Sequence, residues 1–573
     1  MTTEITSTQQ NTTQPASRLK KRWLPLVLLL AMEGAFLLLK AVLPLRGIWY
    51  SAVLHATPAQ WLLQPTQLLF PGRALTPTLI GVYNAPPPGQ LQGWLSTALL
   101  LVVISLLFLA YMLAIRFLPS LVSLPYIFAG TALMGVTCML IPVVSSADIY
   151  SYIAYARMQA FYHLNPLVSA PLLIKHDPIF LHVYWINQPS AYGPTWLDLS
   201  SLLQWLCASL GFQSITVMVL TLRLLGLCAH LASILLVWQI SRHLLNRTSI
   251  HTNQWSTQAL LAFAWNPLLL FEACTNAHND TVMLFFILLA VWFLVQQQAH
   301  NVYPLWSIAC MAVMLALATC LKINVVLLLP GFLLFLWTKP RRIYTTISLL
   351  IAYGAAILLL YVPYWDGRSM LTILHVNPGT YRNINTLVDF LCHFYNSIVA
   401  RLGFPAGGEI GSPAEQITRL ASIGLFAAAY IASCWHTLLR KPLLTPLQLI
   451  RWLAGIWLLY CAIGTPWFWP WYLVTFFGLY ALIEASEEEA TKLKLPFLGE
   501  LRLPLAVRLL TFSMLSLYCF YTYVPFATMV PKLPHFRWAH LRGLWAWLLP
   551  LLALKPLPFL AKNDENSSNP CDL

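Results

Sequence analysis

Apolar runs of roughly 20 residues recur along the whole chain, and this feature restricts the possible folds more than any other. Of the 573 residues, 59% are hydrophobic and only 9% are charged, and the mean hydropathy is +0.69. Soluble domains carry about 25% charged residues. An apolar run of this length crosses a bilayer as a helix. The sequence therefore predicts an all-α, polytopic membrane bundle of about 14 spans, uncertain by two.

The placement of basic residues predicts how the bundle is oriented and divided. Arg18, Lys20, Lys21 and Arg22 precede the first apolar run, 24–45, which places the N-terminus in the cytoplasm. We expect disordered cytoplasmic tails at 1–17 and 561–573, and one transmembrane catalytic domain at 18–560 in the plasma membrane. The formal net charge is +14, and the basic residues cluster at loop ends. This pattern indicates contact with anionic lipid and argues against nucleic-acid binding.

Polar, aromatic and ionisable residues are concentrated in the predicted outer loops, near 46–92, 147–200, 272–280, 364–416 and 526–542. Amphipathic helices are expected within these loops, whereas the inner loops are short or simply basic. The 11 cysteines form no C-x-x-C pair and lie mostly inside apolar runs. A chain with this distribution is expected to work on its outer face.

The segment 147–159 follows an apolar run and carries a lone carboxylate. On a helix, Asp148, Tyr152, Tyr155 and Gln159 share one face. A carboxylate at the mouth of a span is where a general base acting on a lipid-borne substrate would lie. The alternative is that Asp148 only begins a helix within an interfacial aromatic belt.

A second polar group lies at 272–280, at the outer edge of the membrane. Glu272, Asn276 and Asp280 share one helix face, and His278 and Asn279 cap the same turn. A carboxylate within a span is a functional candidate, although such a cluster can also hold two helices together. His278 and Asp280 diverge on a helix and have no evident third partner, so no metal or other cofactor is expected.

Three cations and two aromatic segments complete the predicted site. Lys322, Arg368 and Arg382 are outer-side cations that could bind a lipid phosphate; the alternative for all three, and more so for the two arginines, is snorkelling anchorage. Tyr192 begins a Tyr-Gly-Pro turn that could form the floor of a sugar site, or a plain membrane-edge turn. Trp469 lies in an aromatic segment braced by prolines.

These residues suit one reaction class. Glycosyl transfer from a lipid phosphate needs one base for the acceptor hydroxyl, and Asp148 would serve. The leaving phosphate can be met by Arg or Lys without Mg²⁺. The sequence has no D-x-D pair, no G-x-x-x-x-G-K-[ST] and no G-x-G-x-x-G. This absence agrees with a lipid-linked donor, although a transporter would also lack these motifs.

An ordered set of short motifs resembles a known family. The motifs are DIYSY at 148–152, LNP at 164–166, YGPTW at 192–196, NP at 266–267, Glu272, HND at 278–280, Lys322 and WPWY at 469–472. In this order they resemble the actinobacterial polyprenol-phosphate-mannose-dependent alpha-1,6-mannopyranosyltransferases of the GT-C glycosyltransferase fold. The chain departs from the family pattern at His163, Leu167 and Asn276, where that family has Gly, an aromatic residue and Gly.

The resemblance implies a membrane enzyme that moves mannose from a polyprenyl phosphate to a glycan or glycolipid acceptor on the outer face. It implies that Asp148 is the base and that the anomeric carbon is inverted. Two alternatives stay open. One is a transferase of the same fold that uses another lipid-linked sugar, such as arabinofuranose or glucose. The other is a lipid or solute transporter, although that class places its charges at mid-bilayer on broken helices.

Overall fold

The protein folds almost entirely into α-helices. The computed structural model describes residues 15–43, 90–143, 145–245, 250–297, 303–372, 382–404, 413–486, 492–495, 499–522 and 528–554. Within these ranges the only regular strands are β1, Lys492–Leu495, and β2, Gly499–Arg502, which pair antiparallel. The expected all-α polytopic membrane fold is confirmed, apart from this short hairpin in a predicted inner loop. The predicted tail 561–573 and most of the segments 1–17 and 46–92 lie outside the described residues.

Seven helical segments are long and apolar enough to cross a membrane by themselves. They are Trp23–Val42, Gly93–Phe117, Ile215–Leu244, Arg342–Tyr364, Glu415–Leu439, Pro446–Gly464 and Leu503–Phe520. An eighth candidate is a helix pair, Gln254–Thr275 and Asp280–Val295, bent by 116°. Three shorter apolar helices are Leu124–Met139, Leu305–Thr319 and Ile323–Trp337. Among the described residues, several of the apolar runs of the sequence thus form short or broken helices rather than full-length spans.

The helices follow one another in this order. The first nine are α1 Pro15–Val42, α2 Gln90–Phe117, α3 Leu124–Met139, α4 Asp148–Tyr162, α5 Pro194–Ser209, α6 Ile215–Leu244, α7 Ile250–Ala264, α8 Asp280–Val295 and α9 Leu305–Thr319. The others are α10 Leu329–Trp337, α11 Arg342–Tyr361, α12 Leu387–Arg401, α13 Pro413–Leu439, α14 Pro446–Leu459, α15 Val474–Ser486, α16 Leu503–Ser516, α17 Tyr518–Thr522 and α18 Arg542–Leu552. Short helical turns Pro267–Leu270 and Phe271–Thr275 lie between α7 and α8.

The bend between α7 and α8 brings the polar motif 272–280 to the end of a span. The side chain of Asn266 accepts hydrogen bonds from the backbone N–H groups of Leu268 and Leu269, which begins a new helical turn after α7. The segment Phe271–Thr275 winds as a π-helix, and Ala277 takes a positive φ of 53°. π-helical turns inside longer helices are frequent at functional sites. The turn at Ala277 starts α8 in a new direction.

The link between α3 and α4 is fastened from neighbouring helices. Arg223 on α6 donates from Nη1 to the carbonyl oxygens of Met139 and Ile141, each at 2.6 Å. Thr275 donates to the carbonyl oxygen of Cys138 at 3.0 Å. These bonds satisfy carbonyls that the end of a helix leaves without partners. They fix the start of the link that leads to Asp148.

The turn after α4 explains one departure from the family pattern. His163 follows the last residue of α4 and takes a left-handed conformation, with φ 51° and ψ 31°. Glycine adopts this conformation without steric cost, whereas a residue with a Cβ does so less readily. A glycine here would therefore favour the same turn, and His163 ends the helix in that geometry without one.

Candidate functional site

Asp148 is the first residue of α4 and lies just past the end of α3. It is half-buried, and its Oδ1 accepts a hydrogen bond from the indole Nε1 of Trp185 at 3.1 Å. Burial raises the pKa of the Asp148 carboxyl above its usual value. The Trp185 N–H and the charge of Lys322 lower this pKa, and the charge of Asp280 raises it. A carboxylate with a raised pKa is a stronger base than an exposed aspartate.

The tyrosine face of α4 packs against the rest of the predicted site. The Tyr152 hydroxyl lies 3.1 Å from Nδ1 of His278. The Tyr152 ring makes edge-to-face contacts with Tyr192 at 4.9 Å and Trp196 at 5.2 Å between ring centroids. One face of α4 thus joins the YGPTW turn to the HND motif.

Two more residues of this face bind the segment 188–198. Tyr155 donates its hydroxyl to the carbonyl oxygen of Gln188 at 2.9 Å. Gln159 donates to Asp198 on α5 at 2.9 Å. These two hydrogen bonds hold α4 against its neighbours, so the helix supports Asp148 rigidly.

Lys322 makes an ion pair with Asp280. Its Nζ lies 2.6 Å from Oδ2 of Asp280, and their side chains are 12% and 1% exposed. The ammonium also lies 5.9 Å from the ring centroid of Tyr192 and 5.0 Å from that of Tyr472. Tyrosine faces attract cations at such distances. The ion pair and the two rings hold the lysine charge in one place.

Glu272 is the centre of a buried hydrogen-bonded group. Its carboxylate accepts from the Tyr518 hydroxyl at 2.7 Å and from the Asn276 amide at 2.8 Å. His278 Nε2 lies 3.6 Å from the same carboxylate. Ser145 donates to Asn276 Oδ1 at 2.5 Å, so the group also reaches the link before Asp148. All of these contacts are between protein side chains, which favours a bracing role for Glu272 and Asn276.

His278 also stacks on the aromatic segment that sequence analysis singled out. The rings of His278 and Trp471 are 3.8 Å apart at 19°, and those of Trp471 and Trp469 are 4.8 Å apart at 13°. Trp469 and Trp467 are 5.8 Å apart. This stack holds the Trp469 ring in place through Trp471 and His278.

Asn279 differs from its neighbours because its amide makes no side-chain bond. The residue is fully buried, and neither Oδ1 nor Nδ2 has a hydrogen-bond partner among the described residues. A buried amide without partners is costly and calls for a reason. A substrate group at this position would supply one.

An open groove of about 640 Å³ lies beside Tyr192. Its lining residues are Leu167, Ser190, Ala191, Tyr192, Gly193, Ile323, Tyr361, Trp365, Gly367, Arg368, Met370 and Leu371. Most of the lining is apolar, and Arg368 is its charged member. Tyr192 lines this groove, and its ring centroid lies 5.9 Å from the Lys322 ammonium, so the ion pair lies near the groove.

Arg382 lies in a different part of the protein from the groove. It immediately precedes Asn383, and two residues later Ile384 forms a β-bridge with Trp467. The Ile384 N–H donates to Pro466 at 2.8 Å. The structure therefore joins Arg382 to the tryptophan segment, whereas Arg368 and Lys322 lie by the groove.

Sequence analysis missed two residues of the site. Trp185 is a single tryptophan in a loop, and Tyr518 lies more than 300 positions after Trp185 in the sequence. Neither belongs to a local pattern that would have pointed to it. Among the described residues, no group of three or more His, Cys, Asp and Glu side chains could hold a metal ion. Metal independence stays a prediction.

One comparison with known proteins bears on this arrangement. Residues 76–339 match a family model described as "Alpha-(1->6)-mannopyranosyltransferase, N-terminal domain". The matched segment contains Asp148, Trp185, Tyr192, the motif 272–280 and Lys322. The match indicates a mannosyltransferase, and more broadly a glycosyltransferase. The resemblance to alpha-1,6-mannopyranosyltransferases is confirmed over this segment. No curated protein was found to match the chain.

Proposed function

We propose that this chain, whose residues 76–339 match the alpha-(1→6)-mannopyranosyltransferase family model, transfers mannose from a polyprenyl phosphate to a glycan or glycolipid. The observation that carries the proposal is the joint placement of Asp148, Lys322 and the groove. A half-buried carboxylate, a held cation and an apolar groove are the three parts that such a reaction needs. Tyr152 and Tyr192, in contact with each other, connect them.

Asp148 acts as the general base. Its carboxylate accepts the proton of the acceptor hydroxyl while that oxygen attacks the anomeric carbon. The bond from the anomeric carbon to the phosphate oxygen breaks on the opposite side, so the configuration inverts. The polyprenyl phosphate leaves with the electron pair of that bond. Transfer is therefore a single displacement and leaves no sugar on the enzyme.

The groove beside Tyr192 receives the donor. Its apolar lining suits an isoprenoid chain, and Arg368 offers a charge-assisted hydrogen bond to the phosphate. Lys322 adds a positive charge 5.9 Å from the centroid of the Tyr192 ring, which lines the groove. Charge that develops on the leaving phosphate is stabilised best by groups that are already fixed. The ion pair with Asp280 fixes Lys322 in this way.

The remaining predicted residues position the substrates. Glu272, Asn276 and His278 hold the π-helical turn against Tyr518 and the link to Asp148. Asn279 has an amide free of side-chain bonds among the described residues and would bind a sugar hydroxyl. Trp469 presents an aromatic ring near the outer loops, and such rings bind sugars well. Arg382 would assist the phosphate or the acceptor.

We place the reaction on the outer face of the plasma membrane, with both termini in the cytoplasm. The support is the distribution of exposed cations. Arg242, Arg341, Arg342, Arg440 and Lys441 lie at helix ends or in loops that the alternation of spans assigns to the inside. Such residues mark the cytoplasmic side. With these loops inside, Asp148 lies at the outer end of α3, the helix that precedes it.

The direct test uses membranes that contain the protein and a set of radiolabelled polyprenyl-phosphate sugars. We expect label from the mannose donor to appear in a glycan or glycolipid product, with inverted anomeric configuration. Transfer from an arabinofuranose or glucose donor alone would keep the reaction class and overturn the sugar. Absence of transfer from every lipid-linked donor by folded protein would contradict the proposal.

A further inference from the structure

Trp185 reaches the carboxylate of Asp148 from a loop that no motif singled out. It lies between the short turn Pro178–His182 and α5, 37 positions after Asp148. Its Nε1 is 3.1 Å from Oδ1, and among the described residues it is the only side chain that hydrogen-bonds to this carboxylate. Oδ2 accepts no hydrogen bond from the described part of the chain. The two carboxylate oxygens therefore have different surroundings.

The loop that carries Trp185 is fixed by two hydrogen bonds just after the tryptophan. The Leu172 N–H donates to the carbonyl oxygen of Ile186 at 2.9 Å. Tyr155, on the same helix as Asp148, donates to the carbonyl oxygen of Gln188 at 2.9 Å. The donor and acceptor of the Trp185 bond are thus tied to each other through a second, independent hydrogen bond. A donor held in this way loses little freedom when it binds the carboxylate.

The indole ring itself is packed between aromatic neighbours. It makes an edge-to-face contact with Tyr184 at 4.7 Å and lies 6.4 Å from Trp467. Trp467 continues into Trp469, Trp471 and His278. The ring orientation, and with it the direction of the N–H, is therefore set by contacts that do not involve Asp148.

We propose that Trp185 is a positioning residue, which holds Oδ1 of Asp148 so that Oδ2 is directed at the acceptor hydroxyl. This inference rests on the proposed role of Asp148 as the base. A carboxylate on a side chain with two rotatable bonds can turn away from its substrate. A fixed donor on one oxygen restricts that rotation and leaves the other oxygen as the proton acceptor. Correct orientation of a base can change rates by orders of magnitude.

The same hydrogen bond has a predicted effect on proton affinity. An N–H donor stabilises the charged carboxylate more than the neutral acid. In agreement, the Trp185 bond lowers the pKa of Asp148, against the effect of burial. Loss of the bond should therefore raise this pKa. Because the base must be deprotonated, the acid limb of the pH profile should then move to higher pH.

A different role is a plain sugar platform, in which only the ring face matters. The two roles are separated by two substitutions. Trp185→Phe keeps an aromatic ring and removes the donor. Trp185→Gln removes the ring and keeps a donor, because its amide nitrogen is as many bonds from Cβ as the indole nitrogen. A platform role predicts that the Phe variant is the more active, whereas positioning predicts that the Gln variant keeps the pH profile.

The experiment measures kcat and kcat/KM against pH for both variants in membranes. We expect Trp185→Phe to shift the acid limb upward by about one pH unit and to lower kcat about tenfold at neutral pH. We expect Trp185→Gln to leave the acid limb in place. Trp452→Phe, which removes an indole bond to Ser433 elsewhere, is the control and should leave the profile unchanged.

An unshifted acid limb in the Phe variant, or equal shifts in both variants, would overturn the positioning role. Thermal unfolding in detergent shows whether the Phe variant is folded. If it is not folded, the Gln variant alone tests the inference, and a shifted acid limb in the Gln variant overturns it. Asp148→Asn separates this failure from failure of the proposed function. Full activity in Asp148→Asn rejects the base itself, whereas an inactive Asp148→Asn with an unshifted Trp185→Phe rejects only the role of Trp185.

Discussion

The ammonium of Lys322 lies 2.6 Å from the carboxylate of Asp280 and 5.9 Å from the ring centroid of Tyr192, which lines the groove. The cation that the sequence offered for the lipid phosphate is thus already paired with a buried acid. In this arrangement Asp280 compensates the lysine charge when no donor is bound. A phosphate would share the ammonium with Asp280, since an ammonium has three donors.

The ion pair leads to a prediction about Lys322→Met. This change leaves the Asp280 carboxylate buried without its partner, and breaking such a pair costs about 3–5 kcal/mol. We therefore expect lower thermal stability in detergent, together with weaker donor binding. In the double variant Lys322→Met/Asp280→Asn, stability should be recovered and donor affinity should stay low. Lys441→Met, at an exposed site, is the control. Donor affinity equal to that of the unaltered protein in the double variant would contradict a phosphate role.

Activity should fall with pH at a higher pH than an ordinary aspartate would give. Burial raises the pKa of Asp148, so its deprotonated form is lost earlier as the pH is lowered. The effect of this raised pKa on the stability of the fold has the opposite dependence on pH. A carboxyl whose pKa is raised by folding favours the folded state at low pH, and this contribution disappears as the pH rises through the raised pKa. The check is kcat/KM against pH, with an acid limb at the usual aspartate value as the contrary result.

Removal of the Tyr518 hydroxyl should destabilise the protein. Tyr518 donates to the fully buried Glu272 carboxylate at 2.7 Å, and Tyr518→Phe leaves that acceptor with one bond fewer. The expected cost is about 1–3 kcal/mol. Thermal unfolding in detergent measures it, and Tyr395→Phe at an exposed position serves as the matched control. Equal stability of the two variants would show that the Glu272 group does not brace the fold.

Transfer should not depend on a divalent metal ion. Lys322 and Arg368 supply the positive charge for a phosphate monoester leaving group, which lacks the diphosphate that usually binds Mg²⁺. Activity should therefore be unchanged after treatment with EDTA. A loss that Mg²⁺ or Mn²⁺ restores would contradict metal independence, and activity of the heat-treated protein gives the background.

The sequence predicted the class of fold because apolar runs and the basic residues between them are local patterns. It also singled out polar segments that the structure brings into contact, such as α4 and the motif 272–280. Their role in catalysis stays a prediction. The number of full spans was less accessible, because a run such as 305–320 has the composition of a span but forms the fifteen-residue helix α9.

Partnerships between distant residues could not be predicted. The bond from Tyr518 to Glu272 joins positions 246 apart, and that from Trp185 to Asp148 crosses a loop without regular periodicity. Such contacts depend on how helices pack, which a single sequence does not encode in any local pattern. His278 is a further example. The sequence placed it in a turn, but its stacking on Trp471 depends on helix packing and could not be predicted.

The most direct test of the central claim is the turnover of Asp148→Asn with a polyprenyl-phosphate mannose donor in proteoliposomes. The amide keeps the size of the side chain and an oxygen that can accept the Trp185 N–H, but it cannot take a proton from a hydroxyl. We predict that kcat falls by about 10²–10⁴-fold while donor binding and thermal stability are retained. Turnover equal to that of the unaltered protein would contradict the claim that Asp148 is the base.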